Sequence, residues 1–276
     1  MSVLRRLQAE APVSRAVMWG SVPVWLVTRY EEARALLADP RLSKDRETGL
    51  NLLPPNNSGE LTTELTNHML QADPPDHTRL RKLVVKAFTA RAVEQLRSEI
   101  ETIADELLDE FDTSAPVDLI KSYAGPLPVR VISELLGIPV RSGFQEVLEP
   151  FLQQSSGEQK EAATDQLTSM LTALIADKRR HPAADLTSAL IEATDDGERL
   201  SEPELLATLT LLIIAGYDTT VNLIANGVHA LLRHPSQLAA LRADPTLMAA
   251  AVEEFLRFDS PVNISTIRFT TEAINV

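Results

Sequence analysis

The sequence predicts a mainly α-helical protein with a small β portion, organised as a single domain over residues 1–276. Three observations carry this. Apolar residues recur at three- and four-residue spacing through most of the chain, strand-like patterns are confined to two short stretches, and no repeat or linker divides it. With 44% hydrophobic and 24% charged residues, the chain can bury a sizeable core.

The elements follow in order. Val22 to Val27 (Val-Pro-Val-Trp-Leu-Val) reads as a short edge strand, because Pro23 removes a ladder donor. Tyr30 to Ala38 is helical and stops at Asp39-Pro40. Residues 43–66 are polar around Pro54-Pro55-Asn56-Asn57-Ser58-Gly59, a long loop of the functional kind. Helices are expected over Asp76–Phe88 and Ala90–Phe111, the second with a stripe from Val93 to Leu108. A third begins among Pro126 and Pro128 and ends near Leu136-Gly137-Ile138-Pro139. Arg141–Gln154 is short, and Glu158–Arg180 is longer and amphipathic. Ser201 with Glu204 forms a capping box, and Pro203 sits in the first turn. From there a helix runs to Arg233, about 45 Å at 1.5 Å per residue. Two more, near Gln237–Ala243 and Thr246–Phe258, lead to a strand-like tail from Ile264 to Thr271.

Composition removes several functions. Thirty-nine acids against 26 bases, a net charge of −13, argue against a nucleic-acid binder. Zero Cys excludes disulfides, a thiol nucleophile, zinc-thiolate sites and any cysteine-ligated cofactor held by this chain alone. The longest apolar run, Leu205 to Gly216, is too short for a membrane span, and no signal-peptide core follows Met1. The expected compartment is the cytoplasm.

Three constellations stand out. Ala215-Gly216-Tyr217-Asp218-Thr219-Thr220 interrupts the long helix with residues that Leu or Ala would better by several tenths of a kcal/mol. Gly216 either lets a flat group approach the backbone or marks a helix crossing. Asp218 can relay protons, and the Thr219 hydroxyl can bond the preceding turn or point outward. His77 and Arg81, four apart on one helix face, suit a pair of carboxylates or a phosphate. Five bases and no acid fall between Thr78 and Arg91, either a solvated face or a docking surface. Glu254 and Arg257 are three apart, a common helical ion pair, and Arg268 is the one base beyond them.

In this order the motifs resemble the cytochrome P-450 haem-thiolate monooxygenases of the soluble bacterial type. Asp39-Pro40-Arg41-Leu42-Ser43 and Ala72-Asp73-Pro74-Pro75-Asp76-His77 read the same way, so the resemblance covers essentially the whole chain. It implies haem b as cofactor, with His77, Arg81 and Arg268 holding its propionates and Ala215 and Gly216 against its distal side. Asp218 and Thr219 would deliver protons to dioxygen at the iron. Glu254 and Arg257 would form a buried structural pair. Loop 43–66 would roof a pocket for a small hydrophobic organic substrate. Arg79, Lys82 and Lys86 would meet an acidic ferredoxin-type electron donor.

The family's thiolate ligand has no counterpart here, so no metal ligand is expected from these residues. The resemblance therefore implies a P-450 fold incomplete at the C-terminus and slightly at the N-terminus. Haem binding would be weak or absent, with the face around Ile213, Gly216 and Thr219 short of packing. Two functions follow: a monooxygenase, inactive as this chain, or a non-catalytic relative acting as an auxiliary binding protein.

Overall fold

The computed structural model describes residues 3–18, 22–45, 48–49, 51, 65, 67–88, 94, 96–139, 143–152 and 157–276. They fall into two compact units, one of residues up to Arg81 together with Thr266–Val276, the other Lys82–Ser265.

The first unit opens with helix α1 (Val3–Glu10) and an antiparallel hairpin of β1 (Val13–Val17) and β2 (Pro23–Val27), in which Val13 pairs with Val27 and Val17 with Pro23. Pro23 occupies the strand's first position, where its missing N–H costs little. Helix α2 (Tyr30–Leu37) ends before Asp39, whose carboxylate accepts from the backbone N–H and guanidinium of Arg41. That bond holds the Asp39 carboxyl down at about 2. A two-residue strand β3 (Leu42–Ser43) then pairs antiparallel with β4 (Phe269–Thr270), more than 200 residues later. A 3-10 turn, Met69–Gln71, leads through a cis Pro74–Pro75 bond into helix α3 (Asp76–Ala87). Most of loop 43–66 lies outside the described residues.

The second unit carries most of the hydrophobic core. Helix α4 (Arg97–Asp109) buries Ile103 and Leu107, whereas Leu108 faces solvent. A π-helical turn, Ile120–Ala124, precedes α5 (Pro126–Leu136), with proline in its first turn as the sequence suggests. Helices α6 (Phe144–Leu152), α7 (Gly157–Arg180) and α8 (Leu186–Glu192) follow. Asp185 caps α8 by accepting from the Ser188 N–H at 2.8 Å, and Thr187 donates to the Leu136 carbonyl at 2.7 Å, satisfying an end group of α5.

Helix α9 (Glu202–Arg233) is the spine of this unit, and α10 (Pro235–Ala243) and α11 (Met248–Phe258) come after it. Its capping box forms: the Glu204 carboxylate accepts from the N–H and hydroxyl of Ser201 at 2.8 and 2.9 Å. The N-terminal half, from Leu205 to Ile213, is buried almost throughout; beyond that only Gly227 is. Leu209 and Ile213 on this helix are fully enclosed, as are Leu136, Leu167 and Leu190 elsewhere in the unit. Three sequence expectations change here. In full length α9 is long and apolar enough to cross a membrane, although its first half serves as a core helix. Ile213 is packed, and the bare apolar surface lies further on, at Leu232, Val252, Leu256, Phe258 and Ile264. Of the tail expected as a strand from Ile264 to Thr271, only Phe269–Thr270 forms one.

Candidate functional site

The sequence-predicted residues divide between the two units. In the first, the short β3–β4 ladder and the start of α3 gather Lys44, His77, Arg81 and Arg268. Among the described residues none of the three cations, Lys44, Arg81 and Arg268, has a carboxylate within ion-pair distance. The Nε of Arg268 is buried with no hydrogen-bond acceptor, an orphan that costs free energy unless a ligand satisfies it. Burial first, then Lys44 and Arg81, hold the His77 imidazole below its ordinary pKa. The Lys44 amine is lowered by burial and then by Arg268, with Asp73 opposing. Asp73 is the one carboxylate in the cluster, and it is already engaged. It accepts from the Ser43 hydroxyl at 2.5 Å and from the Lys44 backbone N–H at 3.3 Å. Three cations, Lys44, Arg81 and Arg268, with the His77 imidazole as a further donor and one occupied carboxylate, suit a multiply charged anion in a chain of net charge −13. Sequence reasoning found three of the four; Lys44 gave no signal of its own.

Just ahead of this cluster, His68 is largely buried and its Nδ1 has no partner. Burial pushes its pKa down to about 4, so the imidazole is neutral in the folded chain at neutral pH.

In the second unit, the middle of α9 holds the other group. Thr219 donates its hydroxyl proton to the Ala215 carbonyl one turn back, at 2.7 Å. Its remaining hydrogen-bonding capacity is therefore that of an acceptor. Asp218, on the outer side, has its carboxyl raised by desolvation, which favours the proton-carrying form. Gly216 turns out to have a packing reason: a Cβ there would come within 3.0 Å of the Ile132 Cδ1 on α5. The helix-crossing alternative thus accounts for its glycine, and Ala215 is the neighbour left exposed.

Two expectations are corrected. Glu254 and Arg257 do pair, through two contacts of 2.6 Å, but on the outer face of α11, with side chains 55% and 70% exposed. What α11 turns inward is Phe255, whose ring sits against Gly227 so closely that a Cβ would lie 2.9 Å from it. Exposed pairs of this spacing contribute little because water screens them. Arg257→Ala should accordingly leave the thermal unfolding of this chain almost unmoved; a large fall in Tm would show the pair to be enclosed in solution. The basic face after Thr78 is also less free than its sequence implies. Lys82 and Lys86 both reach the Asp195 carboxylate, at 3.6 and 2.5 Å, and Lys86 also donates to the Thr194 carbonyl at 2.8 Å.

Comparison with known proteins bears on both groups. The cytochrome P-450 family profile matches residues 139–276. The chain is 48% identical over 272 residues to cytochrome P-450 107B1 of Saccharopolyspora erythraea, spanning 96% of this chain and 67% of that one. It is 46% identical to the monooxygenase PikC of Streptomyces venezuelae, over 98% of this chain and 65% of that one. Among solved structures, the tirandamycin C-bound P-450 monooxygenase TamI superposes with a TM-score of 0.90 at 44% identity, covering 99% of this chain and 71% of TamI. The chain thus spans about two thirds of the length of these relatives.

Proposed function

The chain belongs to the cytochrome P-450 family, and from that premise we propose that it carries the carboxylate cradle and the proton-handling helix of a haem-dependent monooxygenase. The observation that supports this best is the set of unpaired cations around the orphaned Arg268 Nε. Haem presents two propionates, and His77, Arg81 and Arg268 are donors of the right charge and number to hold them. The second requirement, a thiolate for the iron, has no residue in this chain, which contains no Cys. Haem binding by these 276 residues is therefore weak, resting on the propionate contacts alone.

Haem, when bound, supplies reductive activation of dioxygen for insertion of one oxygen atom into a substrate. The chain's own residues contribute positioning and protons. Thr219, its proton committed to Ala215, offers a lone pair that orders a proton donor beside it. Asp218, biased toward its protonated form, is the local proton source. Ala215, left exposed on α9, would set the distal wall, whereas the bare face of Gly216 is taken up by the packing against Ile132. Both units belong to one cytochrome P-450 domain in this reading. The substrate is a small hydrophobic organic molecule, the electron donor an acidic ferredoxin-type protein, and the compartment the cytoplasm. With Lys82 and Lys86 turned to Asp195, a docking donor must compete with that carboxylate for them.

The zero Cys count favours a second reading, a non-catalytic relative that has given up the haem ligand and acts as a binding partner. A pair of spectra separates the two. With haemin added, reduced and exposed to carbon monoxide, the chain itself should give no thiolate-type Soret band, since it has no thiolate. Joined to a family-type C-terminal segment carrying the cysteine, it should give that band. A joined chain that folds but gains no such band leaves the non-catalytic reading standing.

A further inference from the structure

We infer that Lys44 is a fourth anchor, beside His77, Arg81 and Arg268, for a ligand bearing two carboxylates. The inference rests on reading the cradle as the haem-propionate site and adds to it a residue from the other end of the sequence.

Strand β3 pairs with β4 so that Leu42 faces Thr270 and Ser43 faces Phe269. The Thr271 N–H donates to the Arg41 carbonyl at 2.9 Å, so the same register holds one residue beyond the ladder on that side. One residue beyond it on the other side, Lys44 falls opposite Arg268. Directly opposed residues on antiparallel strands project to the same face, with Cβ atoms about 4.5–5.5 Å apart. Like charges so placed repel, and Asp73, already engaged by Ser43, relieves the repulsion only in part. Among the described residues neither Lys44 nor Arg268 has an ion-pair partner, and the Arg268 Nε lacks any acceptor.

The local bonding fixes Lys44 in this position. Ser43 is buried, and its hydroxyl both donates to Asp73 at 2.5 Å and accepts the Asp45 N–H at 3.0 Å. Asp73 also accepts from the Lys44 backbone N–H at 3.3 Å, so the residue is held by its main chain. Its ammonium is then free to serve a ligand. A side chain kept beside Arg81 and Arg268, with the already engaged Asp73 as its one counter-charge, is a cost that an incoming dianion offsets.

The test uses metal-free protoporphyrin IX, whose two propionates are retained without iron, and its uncharged dimethyl ester as control. In the free chain, the Lys44 amine, followed by NMR after 13C reductive methylation and identified by its loss in Lys44→Gln, should titrate below an ordinary lysine. The diacid should raise that titration and the diester should not. By tryptophan-fluorescence quenching, Lys44→Gln should weaken diacid binding roughly tenfold, with Lys44→Arg restoring it. If Arg81→Gln and Arg268→Gln weaken the diacid while Lys44→Gln binds it normally and the Lys44 signal does not move, the role given to Lys44 is overturned and the cradle stands. If diacid and diester behave alike, or neither binds, the cradle itself falls and Lys44 with it.

Discussion

In a chain completed by the cysteine-bearing segment, Thr219→Ala should lower product formed per reducing equivalent by about 10²-fold, while haem and substrate affinities stay nearly unchanged. The asymmetry follows from the bonding of the hydroxyl. Its proton goes to the Ala215 carbonyl at 2.7 Å, so it is neither a ligand nor an acid. What it offers is an oriented lone pair that holds a proton donor in place. Removing it leaves binding surfaces intact and disorders proton delivery, so electrons are diverted to hydrogen peroxide. Thr219→Ser keeps the hydroxyl and should recover most coupling. Thr219→Val keeps the shape without it and should resemble Ala. Measuring oxygen uptake, peroxide and product together decides the matter. A fully coupled Thr219→Ala enzyme would return this stretch of α9 to simple helix packing.

Acidification should cost the folded chain roughly 3 kcal/mol through His68 alone, its pKa being lowered from 6.5 to about 4. The direction follows from proton counting. Between these two values the unfolded chain holds a proton on His68 and the folded chain does not, so stability rises with pH across the window. The contribution is fully present above pH 6.5, is lost as pH falls, and is gone below about 4. The cause is burial of an imidazole whose Nδ1 finds no partner. Urea unfolding of the wild type and His68→Gln at several pH values isolates the effect from carboxylates that titrate nearby. The difference between the two proteins should change across pH 4 to 6.5; a constant difference would mean that His68 is solvated in the folded state.

What the sequence made legible was what neighbours in sequence decide. The capping box at Ser201, the stop at Asp39-Pro40, the proline start of α5 and the long reach of α9 all depend on residues within a turn or two. Pairings across long separations were not legible. No local pattern announces that Lys86 will meet Asp195, or that β3 and β4 will find each other. Lys44 was missed for that reason: its meaning comes wholly from the strand opposite. Burial was the other blind spot. The three-residue spacing of Glu254 and Arg257 specified a contact correctly, yet spacing says nothing of which side of the helix meets solvent, and that side proved to be the outer one.

Helix α9 behaves mechanically like a beam clamped at one end. Its first half, Leu205–Ile213, is fastened in the core, whereas further on Gly227 packs on Phe255, and Asn222 and Asn226 donate to the backbone carbonyls of Pro261 and Asp259, at 3.5 and 3.3 Å. Extending a helix already nucleated costs far less order than starting one, so the clamp underwrites the free end. Helices α10 and α11, with no buried residue of their own, borrow their placement from that overhang. The leverage runs one way. Loosening the clamp by cutting a core side chain such as Leu209 unseats everything downstream, while damage at the tip leaves the clamped half in place.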